Sequence, residues 1–342
     1  MAENLLRRLP STGQDRRYDD RTPATPDFAG LGLDPVSFPG WEARALRFTD
    51  AAAVATTMAA SELHDTGEVG IEEADIVSDW QRPSFDVGAS TVGVFTPAGE
   101  LAAYAEYPGR DRYDATVQPA HRGRGLGTAL ARWVCVRARA VGATAVGMPV
   151  PQGSAGEHLL RRLGYTERWT SWTLRLPSDV HIEQRALPDG HRIRNATSTQ
   201  DRLAAYDVLE DAFLEWSVRQ KASYADFAAQ TYQRPGFEDW HMRVLCRDTP
   251  DGESLVGALF SVIDTNHGTL YVDRLAVRAD ARGRGFARAL LADVFAIALD
   301  DGATGCELST DSRTGALGLY TGLGMQVTNT WVNLAARLRG ID

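Results

Sequence analysis

The chain has 342 residues, more than one ordinary domain holds and enough for two of roughly 100–200 residues each. An apolar fraction of 44% and a charged fraction of 24% exclude wholesale disorder and fibrous repeats. The formal net charge of -9 is spread over both halves, which excludes broad attraction to nucleic acid or anionic membrane but leaves room for a local basic loop that holds a phosphate.

Residues 1–38 are dense in charge and carry several Pro and Gly residues, and are expected to be a partly ordered extension. Met1 to Arg21 is polar and arginine-rich, unlike a secretory leader, and no stretch approaches the ~18–20 apolar residues of a membrane span. A cytoplasmic protein is expected. Cys135, Cys246 and Cys306 are odd in number and far apart, so neither a disulfide framework nor a metal cluster is expected.

Glu42 to Phe48 reads as a strand, and Asp50 caps an Ala-rich helix to about Leu63. A second helix runs from Glu72 to Trp80. Ser90–Phe95 and Leu101–Tyr107 make a hairpin about the Pro97-Ala-Gly99 turn, and Tyr113–Val117 is a further strand. A helix over Leu126–Val141, a strand over Ala143–Met148, a helix over Ser154–Leu163 and a strand over Thr166–Leu176 follow. The turn-rich stretch 177–189 reads as a linker.

The same order then returns. His191–Asn195 is a strand, Thr199–Phe213 and Tyr224–Tyr232 are helices, and His241–Arg247 is a strand. Ser254–Ile263 and Thr269–Val277 make a hairpin, Phe286–Leu299 is a helix and Gly305–Ser309 a strand. Ala316–Leu323 is a helix and Val327–Ala335 the last strand. Hairpin-paired strands followed by strands joined through helices give an α/β chain with mixed sheets and helices on their faces.

The repetition is visible in the residues themselves. Val117–Gly127 (VQPAHRGRGLG) aligns without gaps on Val277–Ala287 (VRADARGRGFA), and in the same register Leu163-Gly164-Tyr165 falls on Leu323-Gly324-Met325. Two matches at one offset indicate a duplicated domain. The expected division is 39–176, a linker at 177–189, and 190–338.

In both copies Arg-Gly-Arg-Gly follows a strand and opens a helix. Glycines let the backbone turn tightly and approach a ligand, and the unsatisfied N–H groups of the first helical turn, aided by the helix dipole, form an anion site suited to a pyrophosphate. A dinucleotide fingerprint needs Gly-x-Gly-x-x-Gly within a parallel unit, and here the spacing differs and the preceding strand belongs to a hairpin.

These loops and their context resemble the GCN5-related N-acetyltransferase (GNAT) superfamily, whose [Gln/Arg]-x-x-Gly-x-[Gly/Ala] signature holds the pyrophosphate of acetyl-CoA on loop amides. The resemblance covers residues from about 40 to 338 and implies two tandem domains of that fold, acetyl-CoA as acyl donor and no metal. The matching residues are Arg122, Gly125 and Gly127 in the first copy and Arg282, Gly285 and Ala287 in the second. The implied donor contacts are Val117, Arg122, Gly123, Arg124, Gly125, Leu126 and Gly127, and Leu275, Ala276, Val277, Arg282, Gly283, Arg284, Gly285, Phe286 and Ala287.

The superfamily commonly protonates the departing thiolate from a tyrosine in Asn-x-x-Ala-x-x-Leu-Tyr-x-x-x-Gly-Phe. The second copy reads Ala316, Leu319, Tyr320 and Gly324 in that register, with Arg313 and Met325 departing from it. The offset of 160 places Tyr320 on Leu160, which has no proton to give, so the second copy is the one expected to work. Asp273 and Glu307 are candidate bases, on the strand before the loop and on the strand flanking the pantetheine arm. Phe213, Trp216, Tyr224, Tyr232, Phe237 and Trp240, with Glu215 and Asp239, are candidates to line an acceptor pocket.

The expected activity is transfer of acetyl from acetyl-CoA to the primary amine of a small molecule in a ternary complex, by a monomer or homodimer. Two alternatives remain open. The two-copy plan also resembles mycothiol synthases, which acetylate a cysteinyl amine, and a non-catalytic acyl-CoA sensor would share the loops.

Overall fold

The computed structural model describes residues 25–215, 217 and 219–338. In the first half, α1 (Phe28–Leu31) precedes β1 (Glu42–Arg44), α2 (Ala51–Thr66), α3 (Glu73–Trp80) and α4 (Val87–Ser90). Then come β2 (Thr91–Phe95), β3 (Leu101–Glu106), β4 (Asp114–Val117), α5 (Leu126–Ala140), β5 (Ala145–Pro151), α6 (Ala155–Arg162) and β6 (Thr166–Leu176). The second half has β7 (His191–Asn195), α7 (Thr199–Leu214), α8 (Tyr224–Gln230), β8 (Met242–Thr249), β9 (Gly252–Asp264) and β10 (Thr269–Val277). It ends with α9 (Phe286–Asp300), β11 (Gly305–Asp311), α10 (Leu317–Gly322) and β12 (Gln326–Arg337).

The antiparallel sheet β1-β2-β3-β4 stands beside a mixed sheet of order β5-β12-β6-β11-β10-β9-β8-β7. The last strand of each half has crossed to the other. β12 pairs with β5 of the first half, and β6 pairs with β11 of the second. Between them, β6 and β12 are antiparallel, with Ser171 opposite Trp331. Those two residues are equivalent in the repeat, so a pseudo-two-fold axis passes through this pair.

In each half two parallel strands begin together and then part. Tyr113 donates its N–H to Gly147 O (3.0 Å) and Gly147 donates to Asp111 O (2.9 Å), after which β4 and β5 diverge. β10 follows β11 from Thr269 to Val272 before leaving it, with a bulge between Val272 and Arg274.

Alternation along the strands divides the central sheet into two faces. Val332 and Leu334 of β12 join Val146, Val150, Leu130 and Trp133 in the core under α5. Leu174 and Leu176 of β6 join Leu270, Leu308, Leu290 and Tyr320 under α9 and α10. The opposite face carries Trp169, Ser171, Thr173, Glu307, Ser309, Tyr271, Asn329 and Trp331, the floor of an internal chamber.

α3 and α8 meet above that floor. Gln81 Nε2 donates to Ala229 O (2.7 Å), Gln230 Nε2 to Asp79 Oδ1 (2.6 Å), and Arg234 Nη2 to Asp75 Oδ1 (2.9 Å). Part of the N-terminal extension packs on the first half, where Phe28, Leu31 and Phe38 join the α5 core and Trp133 Nε1 donates to Thr25 O (3.0 Å).

Candidate active site

The two loops are built alike. Each strand ends in a short 3-10 turn, Pro119–His121 or Ala279–Ala281, followed by Arg-Gly-Arg-Gly. Gly125 and Gly285 stand at the helix N-termini with φ of 86° and 81°, a left-handed backbone that L side chains avoid. The first intrahelical bonds run from Ala129 N to Gly125 O and from Ala289 N to Gly285 O, both 3.0 Å. The amides preceding them point out of the helix ends, positioned for an anion.

The leading arginines brace the loops. Arg122 Nε donates to Val117 O (3.2 Å), and its Nη1 and Nη2 reach Asp65 at 2.7 and 2.8 Å near the end of α2. Arg282 Nε likewise donates to Val277 O (2.8 Å), with Nη1 and Nη2 on Glu215 at 2.6 and 2.7 Å just after α7. Burial opposes ionisation of Asp65, yet the Arg122 guanidinium holds its carboxyl below the ordinary range. The Asp65 contribution is therefore complete above the usual value of 3.8 and is lost only as pH falls through the lowered folded value. Asp65→Asn removes the bidentate anchor and is expected to raise the KM for acyl-CoA about tenfold at neutral pH. Steady-state kinetics check this, and an unchanged KM would remove the bracing role.

The chamber measures about 1130 Å³, ample for a small acceptor together with the end of an acyl donor. It runs into the gap between β4 and β5, past Ala115, Thr116, Val117, Met148 and Pro149, and reaches Arg122, Gly123, Gly125, Leu126 and Gly127. Because residue 147 turns its N–H and C=O toward β4, alternation turns those of residues 149 and 151 the same way. Both are proline, so this edge of the gap offers carbonyls only, whereas Ala115 of β4 presents an N–H as well. A Cβ on Gly127 would stand 2.7 Å from Leu159 Cδ2, so α5 approaches α6 closely there and a larger residue would displace that leucine side chain.

Asp273 and Glu307 also line the chamber, so both base candidates share one cavity with the first half's loop. Each is engaged. Glu307 is ion-paired with Arg175, and Asp273 accepts from Arg274 Nε at 3.0 Å. Arg124 does not line the chamber and lies over Trp41, 5.7 Å from the ring centre. Leu275, Ala276, Val277, Arg282, Gly283, Arg284, Gly285, Phe286, Ala287 and Tyr320 all lie outside the chamber lining. Tyr320 is 9% exposed among Val277, Phe286, Cys306 and Leu308, and burial pushes its phenol up.

Four of the aromatic residues named for the acceptor pack against cores. Tyr224, Tyr232 and Phe237 pack on the core of α7 and α8, Trp240 packs against the α9 core, and Phe213 is exposed. Trp216 lies outside the described residues. Asp239 pairs with Arg202 at 3.4 Å. Cys306 is buried, and desolvation pushes its thiol up to about 12.

A carboxyl group that the sequence reading missed lies on the first half's side. Glu106 is 5% exposed and accepts from Trp80 Nε1 at 2.8 Å, directly opposite Asp114 on the next strand. Burial, with the nearby Asp114 and Asp79 charges, pushes Glu106 up to about 8, and burial also raises Asp114. The one readable signal was a lone carboxylate in the otherwise apolar strand Leu101–Tyr107.

Residues 204–325 match the Acetyltransferase (GNAT) family and residues 110–174 the FR47-like proteins, so each half is matched separately. The chain is 31% identical over 252 residues to a mycothiol acetyltransferase of Salinispora arenicola (strain CNS-205), across 69% of this chain and 78% of that protein. The chain belongs to the GNAT acetyltransferase family.

The crystal structure of a GCN5-related N-acetyltransferase from Sphaerobacter thermophilus superposes with a TM-score of 0.67 at 28% identity, over 89% of this chain and 98% of that one. A tandem GNAT protein from the clavulanic acid biosynthesis pathway shares the fold, with a TM-score of 0.66 at 17% identity, over 88% of this chain and 100% of that one. The tandem GNAT architecture and the N-acetyltransferase class follow from this membership. Among the described residues no helix is long and apolar enough to cross a membrane.

Proposed function

We propose that this GNAT enzyme transfers an acetyl group from acetyl-CoA to the primary amine of a small molecule by direct attack in a ternary complex, with the donor held by the first half. The observation that carries the reading is the chamber, which joins the first half's parted strands and glycine loop to a polar floor drawn from both halves. Amides at the start of α5 would hold the pyrophosphate, and the edges of β4 and β5 would align the pantetheine arm. The crossed strands complete this chamber within one chain, so a monomer suffices.

A second reading, with the working site in the second half, has a specific observation in its favour. Tyr320 stands in the family's acid register and burial keeps its phenol protonated. In that reading Tyr320 protonates the thiolate while Asp273 or Glu307 accepts the amine proton. The arginine pairings of both carboxylates weigh against it, because each is already held by a neighbouring guanidinium and is not free to turn to an amine.

The resemblance to the Salinispora protein makes a cysteinyl amine of the mycothiol type the first acceptor to assay. Release of CoA thiol from acetyl-CoA, followed over a panel of amines that includes this one, tests the proposal. Turnover at or above 1 s⁻¹ with at least one amine is the expected result, in the usual range of enzymes. Tight acetyl-CoA binding without turnover across the panel would make the chain a sensor instead. Full activity in Tyr320→Phe would remove the second reading's acid.

A further inference from the structure

We propose that Asp114, coupled to the buried Glu106, takes the proton from the attacking amine at the point where β4 and β5 part. The inference rests on the first half being the donor site.

Position comes first. The last bonds between the two strands involve Tyr113 and Gly147, so Asp114 is the residue at the apex of the opening. Tyr113, Ala115 and Val117 turn toward the α5 core, and alternation turns Asp114 and Thr116 into the chamber. A donor lying between the strands, with its pyrophosphate at Gly125, extends its thioester toward this apex. An acceptor in the chamber approaches from the Asp114 side.

Coupling comes second. Glu106 and Asp114 are direct cross-strand partners, whose side chains share one face of the sheet. The groups facing the pair are Asp79 and the Trp80 indole on α3, Arg82 just beyond that helix, the Tyr104 phenol on β3, and Arg112 before β4, whose Nη2 is 3.9 Å from Asp114 Oδ1. Among the described residues no arginine clamps either carboxyl in the bidentate way that Arg122 clamps Asp65. Glu106 is buried and Asp114 opens onto the chamber, and two carboxyls so placed across one ladder share a proton and titrate as a unit. With Glu106 pushed up to about 8, that proton resides on the pair at neutral pH and leaves Asp114 able to accept another.

The second half lacks this device. Its matching cross-strand pair is Arg274 opposite Phe260, and Arg274 lies over the Phe227 ring at 5.2 Å. A fixed cation there repels an ammonium and accepts no proton.

In the reaction the incoming ammonium gives one proton to Asp114, which later returns it to solvent, and the freed amine nitrogen bonds to the thioester carbonyl carbon. The C–S bond then breaks with its electron pair leaving on sulfur, and the remaining surplus proton on nitrogen passes to the thiolate. The products are an amide and a neutral thiol. Asp114 is the catalytic group, and Glu106 is a positioning residue that sets its affinity for the proton.

The test uses the full chain, acetyl-CoA, the best amine of the panel, and hydroxylamine, a nucleophile that is largely unprotonated at neutral pH. Asp114→Asn is expected to lower kcat with the amine by about 10²–10⁴-fold, while the KM for acetyl-CoA changes by less than about twofold and hydroxylamine turnover is largely kept. Glu106→Gln, which keeps the acceptor for Trp80 Nε1 and the neutrality of the protonated acid, is expected to leave the acidic limb of the kcat/KM profile in place and to abolish the change near pH 8 where the pair loses its last proton. Full amine turnover in Asp114→Asn with an unchanged pH profile overturns the proposal. So does equal loss with both nucleophiles, which would make Asp114 structural. If the unaltered enzyme turns over no amine at all, the proposed function fails; if it turns over but depends on Gly285 and not Gly125, only the choice of half fails.

Discussion

Gly125→Val is expected to raise the KM for acetyl-CoA at least 100-fold, and Gly285→Val to change it by less than about twofold. Both glycines occupy left-handed backbone at a helix N-terminus, and a Cβ at either position would meet nothing within 4 Å. Each substitution therefore costs only the conformational strain of an L residue in that region, about 1–2 kcal/mol, which a folded domain tolerates. The added branched side chain stands where a pyrophosphate must approach the amides. At Gly125 that position opens into the chamber, whereas Gly285 lies outside its lining. Kinetics and calorimetric titration with acetyl-CoA separate the cases. A large effect at Gly285 with none at Gly125 would transfer the donor site to the second half, where Tyr320 lies.

Leu334→Ala is expected to destabilise the protein by about 2–5 kcal/mol and to damage the first half although the residue belongs to the second repeat. Leu334 is 0% exposed and lies in the core with Trp133, Val134 and Val146, opposite Met148 on β5. Its repeat mate Leu174 has the reciprocal position, 0% exposed in the second half's core. Because β6 and β12 lie side by side between the two cores, loss of packing in either spreads through one ladder. Urea unfolding followed by tryptophan fluorescence and far-UV circular dichroism should give a single coincident transition with its midpoint lowered in Leu334→Ala and equally in Leu174→Ala. Two separated transitions would refute the mechanical union of the halves.

Much of this fold could be read along the chain. The helices at Leu126 and Phe286 begin where the glycine loops place them, and β6 and β10 have the bounds that their apolar patterns predict. The crossing of the last strands could not be read. β6 and β12 carry the same repeat register, so either could pair with either core by local pattern alone, and only three-dimensional packing selects the exchange.

The site was legible in its backbone and less so in its side chains. Val117, Arg122, Gly123, Gly125, Leu126 and Gly127 line the chamber as one loop because they are contiguous and governed by local geometry. Tyr320 has the right register, but its surroundings are set by tertiary packing that no motif encodes. Glu106 and Asp114 meet across a hairpin whose irregular connection carries no periodic signal, so their pairing became visible only with the ladder.

The crossed strands also bear on the order in which the molecule can be made. β5 has β12 as its ladder partner, with Val150 opposite Val332 near the end of the chain. A nascent first half therefore leaves the ribosome with an unclosed edge beside the gap between β4 and β5, and that edge is sealed only when β12 has been made. Pairing of such sequence-distant strands slows folding and leaves a sticky edge exposed meanwhile. The cleft of the first repeat is the last to be finished.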